Sequence, residues 1–161
     1  MADSKISDLT VVSVLNLTDQ FPVVQSATTK SATITDVLRQ VQDRFIITIG
    51  DETTPFTAAT GVYTFRMPYG FIFEDLRASL TTAGSTSGLT TIDINEGGVS
   101  ILSTKLTIDV GETTSTTATT SHVFSDGTLA DDAEITIDID TITAGGTEAG
   151  LKIYFIGKQS I

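Results

Sequence analysis

The side chains that could perform chemistry are few, and they begin with the single histidine of the chain. Ser121 and Asp126 lie close to His122 in the sequence. A Ser-His-Asp triad uses these three residue types, but it is defined by their geometry and not by closeness along the chain. A surface or edge-strand histidine explains the same pattern, and we expect no enzymatic activity.

A second pattern, Gly84-Ser85-Thr86-Ser87-Gly88, superficially resembles a nucleophile elbow. That motif places its nucleophile on a sharp turn between a strand and a helix. Here the central residue is Thr86, and no helical pattern follows it. The chain has no cysteine, so thiol nucleophiles, disulfides and thiolate metal sites are excluded.

Carboxylates cluster before one predicted strand, at Asp126, Asp131, Asp132 and Glu134. Loops rich in aspartate can bind calcium, which takes six to eight oxygen ligands. No D-x-D-x-D-G loop is present, and a solvated acidic turn explains the cluster. We therefore predict no metal ion and no cofactor.

Three further carboxylates, Asp93, Asp138 and Asp140, lie on predicted strand faces. Glycoside hydrolysis needs two carboxylates across a cleft, about 5–9 Å apart. Opposing strand positions could meet in this way. Outward-facing, solubilising side chains explain these residues equally well.

The run Arg66-Met67-Pro68-Tyr69-Gly70-Phe71 combines a cation, two aromatic rings and a turn. It could form a contact surface for a partner protein or a sugar. Aromatic side chains at the end of a sandwich more often fill the core, and we favour that interpretation.

The elements that would position these side chains are mainly short strands. Apolar residues alternate with polar ones in Leu89–Asp109, around a Gly97-Gly98 turn, and again in Glu134–Asp140. Period-two alternation on a Thr and Ile background is typical of half-buried antiparallel strands. The predicted strands are Phe45–Ile49, Val62–Met67, Ile72–Leu80, Leu89–Asn95, Val99–Ile108 (which could be broken), Ser121–Phe124, Glu134–Thr141 and Leu151–Gly157.

About eight strands without crossover helices predict an all-β fold, an antiparallel β-sandwich of the eight-stranded jelly-roll type. The aromatic-rich last strand is expected to be central. The threonine-rich run 113–121 fits a surface loop or the start of an edge strand, because threonine tolerates both.

Residues 1–44 differ from the rest of the chain and are predicted to be a separate N-terminal segment. Phe21-Pro22-Val23-Val24-Gln25 favours an extended piece, Thr28–Lys30 a turn, and residues 31–34 a further extended piece. A short helix follows, with Thr35 as its N-cap and Val37, Leu38 and Val41 on one face. Because so short a helix is marginal in water, the segment must dock on something.

The distribution of charged side chains along the 161 residues also changes after residue 44. Residues 1–44 hold four basic and five acidic side chains, whereas residues 45–161 hold five basic and fifteen acidic ones. The acidic part repels phosphate backbones, so we expect no nucleic-acid partner. No apolar run approaches the roughly 20 residues of a membrane helix, and no secretory signal is visible, so synthesis and assembly in a cytosol are expected.

The motifs KISDL, FPVVQ and TTKSATITDVL resemble an N-terminal segment of tailed-bacteriophage virion proteins. The stretches YTFRMPYGFIFEDLRASL, TTIDINEGGVSILSTKLTID and ADDAEITIDIDTITAGGTEAGLKIYFIG are similar to jelly-roll-like modules of phage structural proteins. This resemblance implies an attachment segment at 1–44, an exposed head domain at 45–161, and a homo-oligomer such as a trimer.

The leading hypothesis is a capsid decoration protein, either a cement or a head-fibre subunit of the virion. Apolar side chains of the N-terminal segment would bury against the major capsid protein, another virion protein or sister subunits. The predicted anchor residues are Leu9, Val12, Leu15, Phe21, Val23, Val24, Leu38 and Val41. The alternative is a tail-fibre module that binds a host surface glycan through loops at the end of the sandwich; a calcium-dependent or hydrolytic carbohydrate module is a third.

Overall fold

The structure, a computed structural model, describes residues 14–160. Internal contacts divide the chain into two units, residues 1–41 and residues 42–161. The N-terminal unit contains an antiparallel hairpin of β1 (Gln20–Gln25) and β2 (Thr28–Thr33), followed by helix α1 (Ile34–Leu38).

The hairpin turns earlier than predicted. Ser26 and Ala27 form its two-residue loop with φ angles of 52° and 60°, whereas Thr28–Lys30 belong to β2. Two consecutive left-handed residues are the mark of a type I′ turn, whose twist suits a hairpin. The predicted turn was wrong because neither residue is the glycine or asparagine that usually signals this geometry.

Helix α1 also begins earlier than predicted, with Thr33 and not Thr35 as its N-cap. The Thr33 hydroxyl accepts a hydrogen bond from the backbone N–H of Asp36 at 3.1 Å. The Asp36 carboxylate accepts the Thr33 backbone N–H at 2.8 Å, which completes a capping box. The helix ends at Leu38, so Val41 lies beyond it.

The second unit is built from eleven strands: β3 (Asp43–Ile49), β4 (Ala59–Arg66), β5 (Phe71–Ser79), β6 (Leu89–Glu96), β7 (Val99–Ser100), β8 (Leu102–Thr104), β9 (Leu106–Asp109), β10 (Val123–Phe124), β11 (Thr128–Leu129), β12 (Glu134–Thr141) and β13 (Leu151–Gln159). The predicted Val99–Ile108 strand is broken into three pieces. The predicted Ser121–Phe124 strand is reduced to β10, and β11 was not predicted. Run 113–121 is a loop around a 3-10 turn at Ser115–Thr117.

These strands form a jelly-roll sandwich, as predicted. One sheet has the order β11-β5-β13-β3, and the other has the order β4-β12-β6-β7, with β9 also paired to β6. The strands pair as β3 with β13, β4 with β12, β5 with β11 and β6 with β9, all antiparallel. This is the pairing of a jelly roll, in which one long hairpin of four strand pairs folds over into two sheets and no crossover helix is needed.

Alternation of side chains builds the core between the sheets. Ile135, Ile137 and Ile139 of β12 are buried, whereas the intervening residues face outward, as the sequence pattern predicts. Strand β13 is central, as expected, between β3 and β5. Its Phe155 is fully buried and stacks on Phe45 with ring centroids 4.6 Å apart.

A bulge in β5 opposite Ile156 and Gly157 lets two strands approach closely. A Cβ at Gly157 would lie 2.1 Å from the backbone oxygen of Ile72. Only glycine fits at this point of the central strand, because backbone cannot move aside as a flexible side chain can.

Candidate functional site

The hairpin unit, defined here as residues 14–41, is ordered without a core of its own. None of its side chains is buried, and Ile49 is the first buried residue along the described chain. By contrast, the 42–161 sandwich encloses a continuous cluster of buried Ile, Leu, Phe and Met side chains. The hairpin unit therefore presents its apolar groups at its surface.

Most of the predicted anchor residues are exposed. Val24 is 76% exposed, Leu15 64% and Val41 56%, and Leu38 is also exposed. Phe21 and Val23 are half-buried; they share one face of β1, whereas Val24 lies on the other. Leu9 and Val12 lie outside the described residues.

Three more exposed apolar side chains, Val14, Leu17 and Val37, extend this surface beyond the predicted anchor. Val37 adjoins Leu38 in α1. The sequence indicates this surface because the segment contains apolar residues, but too few of them to enclose a core.

Hydrogen bonds hold this surface in a fixed arrangement. The Leu17 carbonyl accepts the Thr35 N–H at 3.1 Å and the Thr35 hydroxyl at 2.8 Å. The Asp19 carbonyl accepts the Ile34 N–H at 3.2 Å. The chain before β1 is thus tied to the start of α1, so exposed apolar groups are displayed on a defined backbone.

His122 faces Asp75 and not Asp126. Its Nε2 atom lies 3.8 Å from Asp75 Oδ1, and its ring packs edge-on against Phe124. Asp126 instead accepts the backbone N–H and hydroxyl of Thr128. Within residues 14–160 no serine hydroxyl is hydrogen-bonded to His122, so the described geometry does not assemble the triad suggested by the sequence.

The environment of His122 makes the stability of the sandwich depend on pH. Burial lowers the pKa of His122 below its ordinary value of 6.5, and the negative charge of Asp75 opposes this shift. The unfolded chain therefore binds a proton more readily than the folded one near this pH. We expect the free energy of unfolding to fall as pH drops from 7.5 to 5.5, and this fall to shrink in His122→Gln. Urea denaturation of both proteins at the two pH values measures it; an equal fall in both would exclude His122 as the cause.

The Gly84–Gly88 run lies in the loop between β5 and β6, where Gly84 is buried and residues 86–88 are exposed. Thr86 has a left-handed φ of 78°, which is unusual for a β-branched residue. The strand-turn-helix setting of a nucleophile elbow is missing, because β6 follows at Leu89. The loop therefore gives the elbow interpretation no support.

The acidic groups singled out in the sequence, apart from the exposed Asp131, are engaged in structural contacts. Arg66 lies 3.7 Å from Asp132 and 3.8 Å from Glu134, and both pairs are well exposed. Lys105 Nζ lies 3.0 Å from buried Asp93 and 2.5 Å from Asp140.

Asp138 completes this acidic group; it accepts hydrogen bonds from the Asn95 side chain at 3.0 Å and from the Gly61 N–H at 2.6 Å. Across residues 14–160 no set of three acidic or histidine side chains is arranged to hold a metal ion.

The run from Arg66 to Phe71 mainly serves the core. Met67 and Phe71 are fully buried, and the half-buried Tyr69 donates its hydroxyl hydrogen to Asp43. Arg66 and Pro68 remain open to solvent. The core-filling interpretation accounts for these positions.

A depression that the sequence pattern did not reveal lies on the outer face of β3, β13 and β5. Its cavity volume is about 490 Å³. Cross-strand pairing places Tyr154 between Ile46 and Arg77, and Ile156 between Arg44 and Asp75. The lining residues are Arg44, Phe45, Ile46, Arg77, Ala78, Ser79, Thr114, Thr116, Tyr154 and Ile156.

Comparisons with known proteins add little to this picture. No protein-family model matches the chain, and no curated protein sequence matches it. Among solved structures, the fold is similar to the NLP-core of Drosophila, which is described in terms of pentamer formation and histone binding, at 13% identity. That similarity covers 75% of this chain and 100% of the other, with a TM-score of 0.38, and it carries no conclusion about function. Within residues 14–160 no helix has the length and apolar character to cross a membrane.

Proposed function

We propose that this chain is a non-enzymatic structural protein of a bacteriophage virion. In this role it is a capsid decoration subunit, of the cement or head-fibre type, attached through residues 1–41 and displaying its jelly-roll sandwich. The observation that carries the proposal is an ordered hairpin and helix without a single buried side chain among residues 14–41.

Free-standing elements of this kind need a partner. A two-stranded hairpin alone is marginally stable in water, and a five-residue helix is far shorter than the length at which isolated helices persist. Burial of each exposed Val or Leu would contribute about 1.5–3 kcal/mol. Contact with a capsid protein or a sister subunit therefore supplies the stabilisation that the unit does not obtain from its own residues.

The hairpin unit also offers backbone for attachment. Its sheet has only the two strands β1 and β2, so each strand has one edge that pairs with no strand of the described chain. An added strand from a partner would use those N–H and C=O groups, while Val24 and Leu38 supply apolar contact. Electrostatics fits this division, because the nearly neutral segment approaches an acidic or neutral surface more easily than the sandwich does.

The proposal is tested on particles of the phage whose genome encodes this chain. The particles are banded on a density gradient, and their proteins are quantified by mass spectrometry. We expect the chain to band with intact capsids in a fixed ratio to the major capsid protein, including capsids that lack tails. A chain found only in the unbanded supernatant would contradict a virion role, and one lost with the tails would contradict capsid decoration.

A further inference from the structure

We propose that the depression on the outer face of β3, β13 and β5 binds a carboxylate-bearing saccharide. The site joins two guanidinium groups, an aromatic ring and several hydroxyl groups on one face of a rigid sheet. This inference concerns residues 42–161 and is independent of the attachment role of the hairpin unit.

The floor of the depression is apolar and fixed by strand register. Tyr154 lies directly opposite Ile46 on β3 and Arg77 on β5, and Ile156 lies opposite Arg44. Side chains in such positions have Cβ atoms about 5 Å apart, so they form one continuous surface. Ile46 is 55% exposed, and together with the Tyr154 ring it offers the apolar platform on which the C–H face of a sugar packs.

The two arginines flank this platform. Arg44 donates from Nη2 to Gln42 at 3.0 Å, and Arg77 donates from Nε to Asp75 at 2.6 Å. Among residues 14–160 no carboxylate lies within ion-pair distance of Arg44. A guanidinium group binds a carboxylate through paired, charge-assisted hydrogen bonds, and it remains charged at every physiological pH.

Hydroxyl groups complete the lining. Ser79 Oγ and Tyr154 Oη lie 3.0 Å apart, as do the hydroxyls of Thr114 and Thr116. Hydroxyl groups both donate and accept hydrogen bonds, as the hydroxyls of a sugar do. The volume of about 490 Å³ is in the range of about 300–1,000 Å³ that small-molecule sites occupy.

The local charge favours an anion although the protein carries a net charge of −11. Residues 42–161 hold six Lys and Arg side chains, and four of them, Arg44, Arg77, Lys152 and Lys158, lie on this face. Screening limits the reach of distant carboxylates to about 8 Å at physiological salt. Two of these cations are paired with nearby carboxylates, Arg77 with Asp75 and Lys152 with Glu52, so the positive charge available to an anionic ligand rests mainly on Arg44.

A saccharide fits this face better than a peptide or a second copy of the chain. The backbone groups of β13 are paired with β3 and β5, so an extended peptide finds no sheet edge at the centre of the depression. A second copy of the chain carries the same net charge of −11, so electrostatic repulsion opposes its approach to this face.

Two-dimensional NMR of the 15N-labelled full-length protein tests the proposal, with tetragalacturonate as the probe and its methyl ester as the neutral control. We expect amide shifts confined to β3, β13, β5 and the 113–117 loop, and no such shifts with the ester. Arg44→Gln with Arg77→Gln should weaken binding at least about tenfold, because each removes a charge-assisted hydrogen bond. Arg66→Gln, on the other sheet, is the matched control and should bind normally.

The remaining outcomes also decide the question. Trisialic acid binding at the same amides in place of tetragalacturonate would support the site and identify a different acidic sugar. The proposal would be overturned by unchanged binding in the double arginine variant or by equal binding of the ester. It would also be overturned if neither acidic sugar caused shifts at 10 mM, which is about the weakest affinity worth assigning. Equal shifts with hexaglutamate, or concentration-dependent self-association through the same amides, would also overturn it in favour of an acidic peptide or a second copy.

Discussion

Phe155→Ala is expected to lower the free energy of unfolding of the sandwich by about 3–5 kcal/mol. Phe155 is fully buried at the centre of an aromatic cluster in β13. Its ring stacks on Phe45 at 4.6 Å and contacts Phe73 at 5.4 Å and Phe65 at 6.0 Å. Removal of the ring leaves a cavity that the neighbouring strands cannot close, because two sheets and both flanking strands hold its walls.

Tyr63→Ala is the control for this substitution. Tyr63 lies on the edge strand β4, contacts only Phe65 among the aromatic rings of residues 14–160, and is 41% exposed. Its removal should cost about 1 kcal/mol. Urea denaturation followed by far-ultraviolet circular dichroism measures both variants. Similar losses in the two would show that Phe155 is not the centre of the core.

Deletion of residues 1–41 is expected to abolish binding to capsids while the sandwich stays folded. The buried cluster lies entirely between Phe45 and Phe155, so the deletion removes no buried side chain of the described chain. Loss of several apolar contacts, each worth about 1.5–3 kcal/mol, should weaken binding by a factor of at least about 1,000. Co-sedimentation with banded capsids that lack the chain measures binding, and thermal melting measures the fold. A deleted protein that melts normally and still sediments with capsids would disprove attachment through this unit.

Two variants, each with three substitutions, distinguish the loss of apolar contacts from the loss of the segment itself. Leu15→Ser, Val24→Ser and Leu38→Ser together remove exposed apolar groups from the hairpin unit. The matched control carries Leu89→Ser, Val99→Ser and Val123→Ser, three exposed apolar positions on the sandwich. We expect the first protein to lose capsid binding and the second to keep it. The reverse result would move the attachment surface to the sandwich.

Much of the sandwich could be predicted from the sequence because apolar and polar residues alternate in strands such as β12 and β13. Ile135, Ile137 and Ile139 fix the inward face of β12, since a slip of one residue would expose all three. In the Val99–Ile108 stretch alternation was less informative. Ile101 and Leu102 are both buried, because the strand is interrupted there.

The candidate sites were less predictable because they depend on contacts between distant residues. Arg44, Arg77 and Tyr154 meet only through the register of three strands that are far apart in the sequence. Asp75 of β5 faces His122 because the loop before β10, which is distant in the sequence, lies against this strand. The hairpin turn escaped prediction because Ser26 and Ala27 adopt left-handed angles that their side chains do not favour.

The central claim is that attachment occurs before β3 and that the sandwich is displayed. An electron cryomicroscopy map of the capsid, detailed enough to trace strands, tests it most directly. The account predicts that residues 14–41 lie against the capsid shell or a sister subunit, with Val24 and Leu38 covered, and that the outer face of β3, β13 and β5 is open to solvent. A map in which the sandwich contacts the shell and residues 14–41 extend into solvent would contradict it.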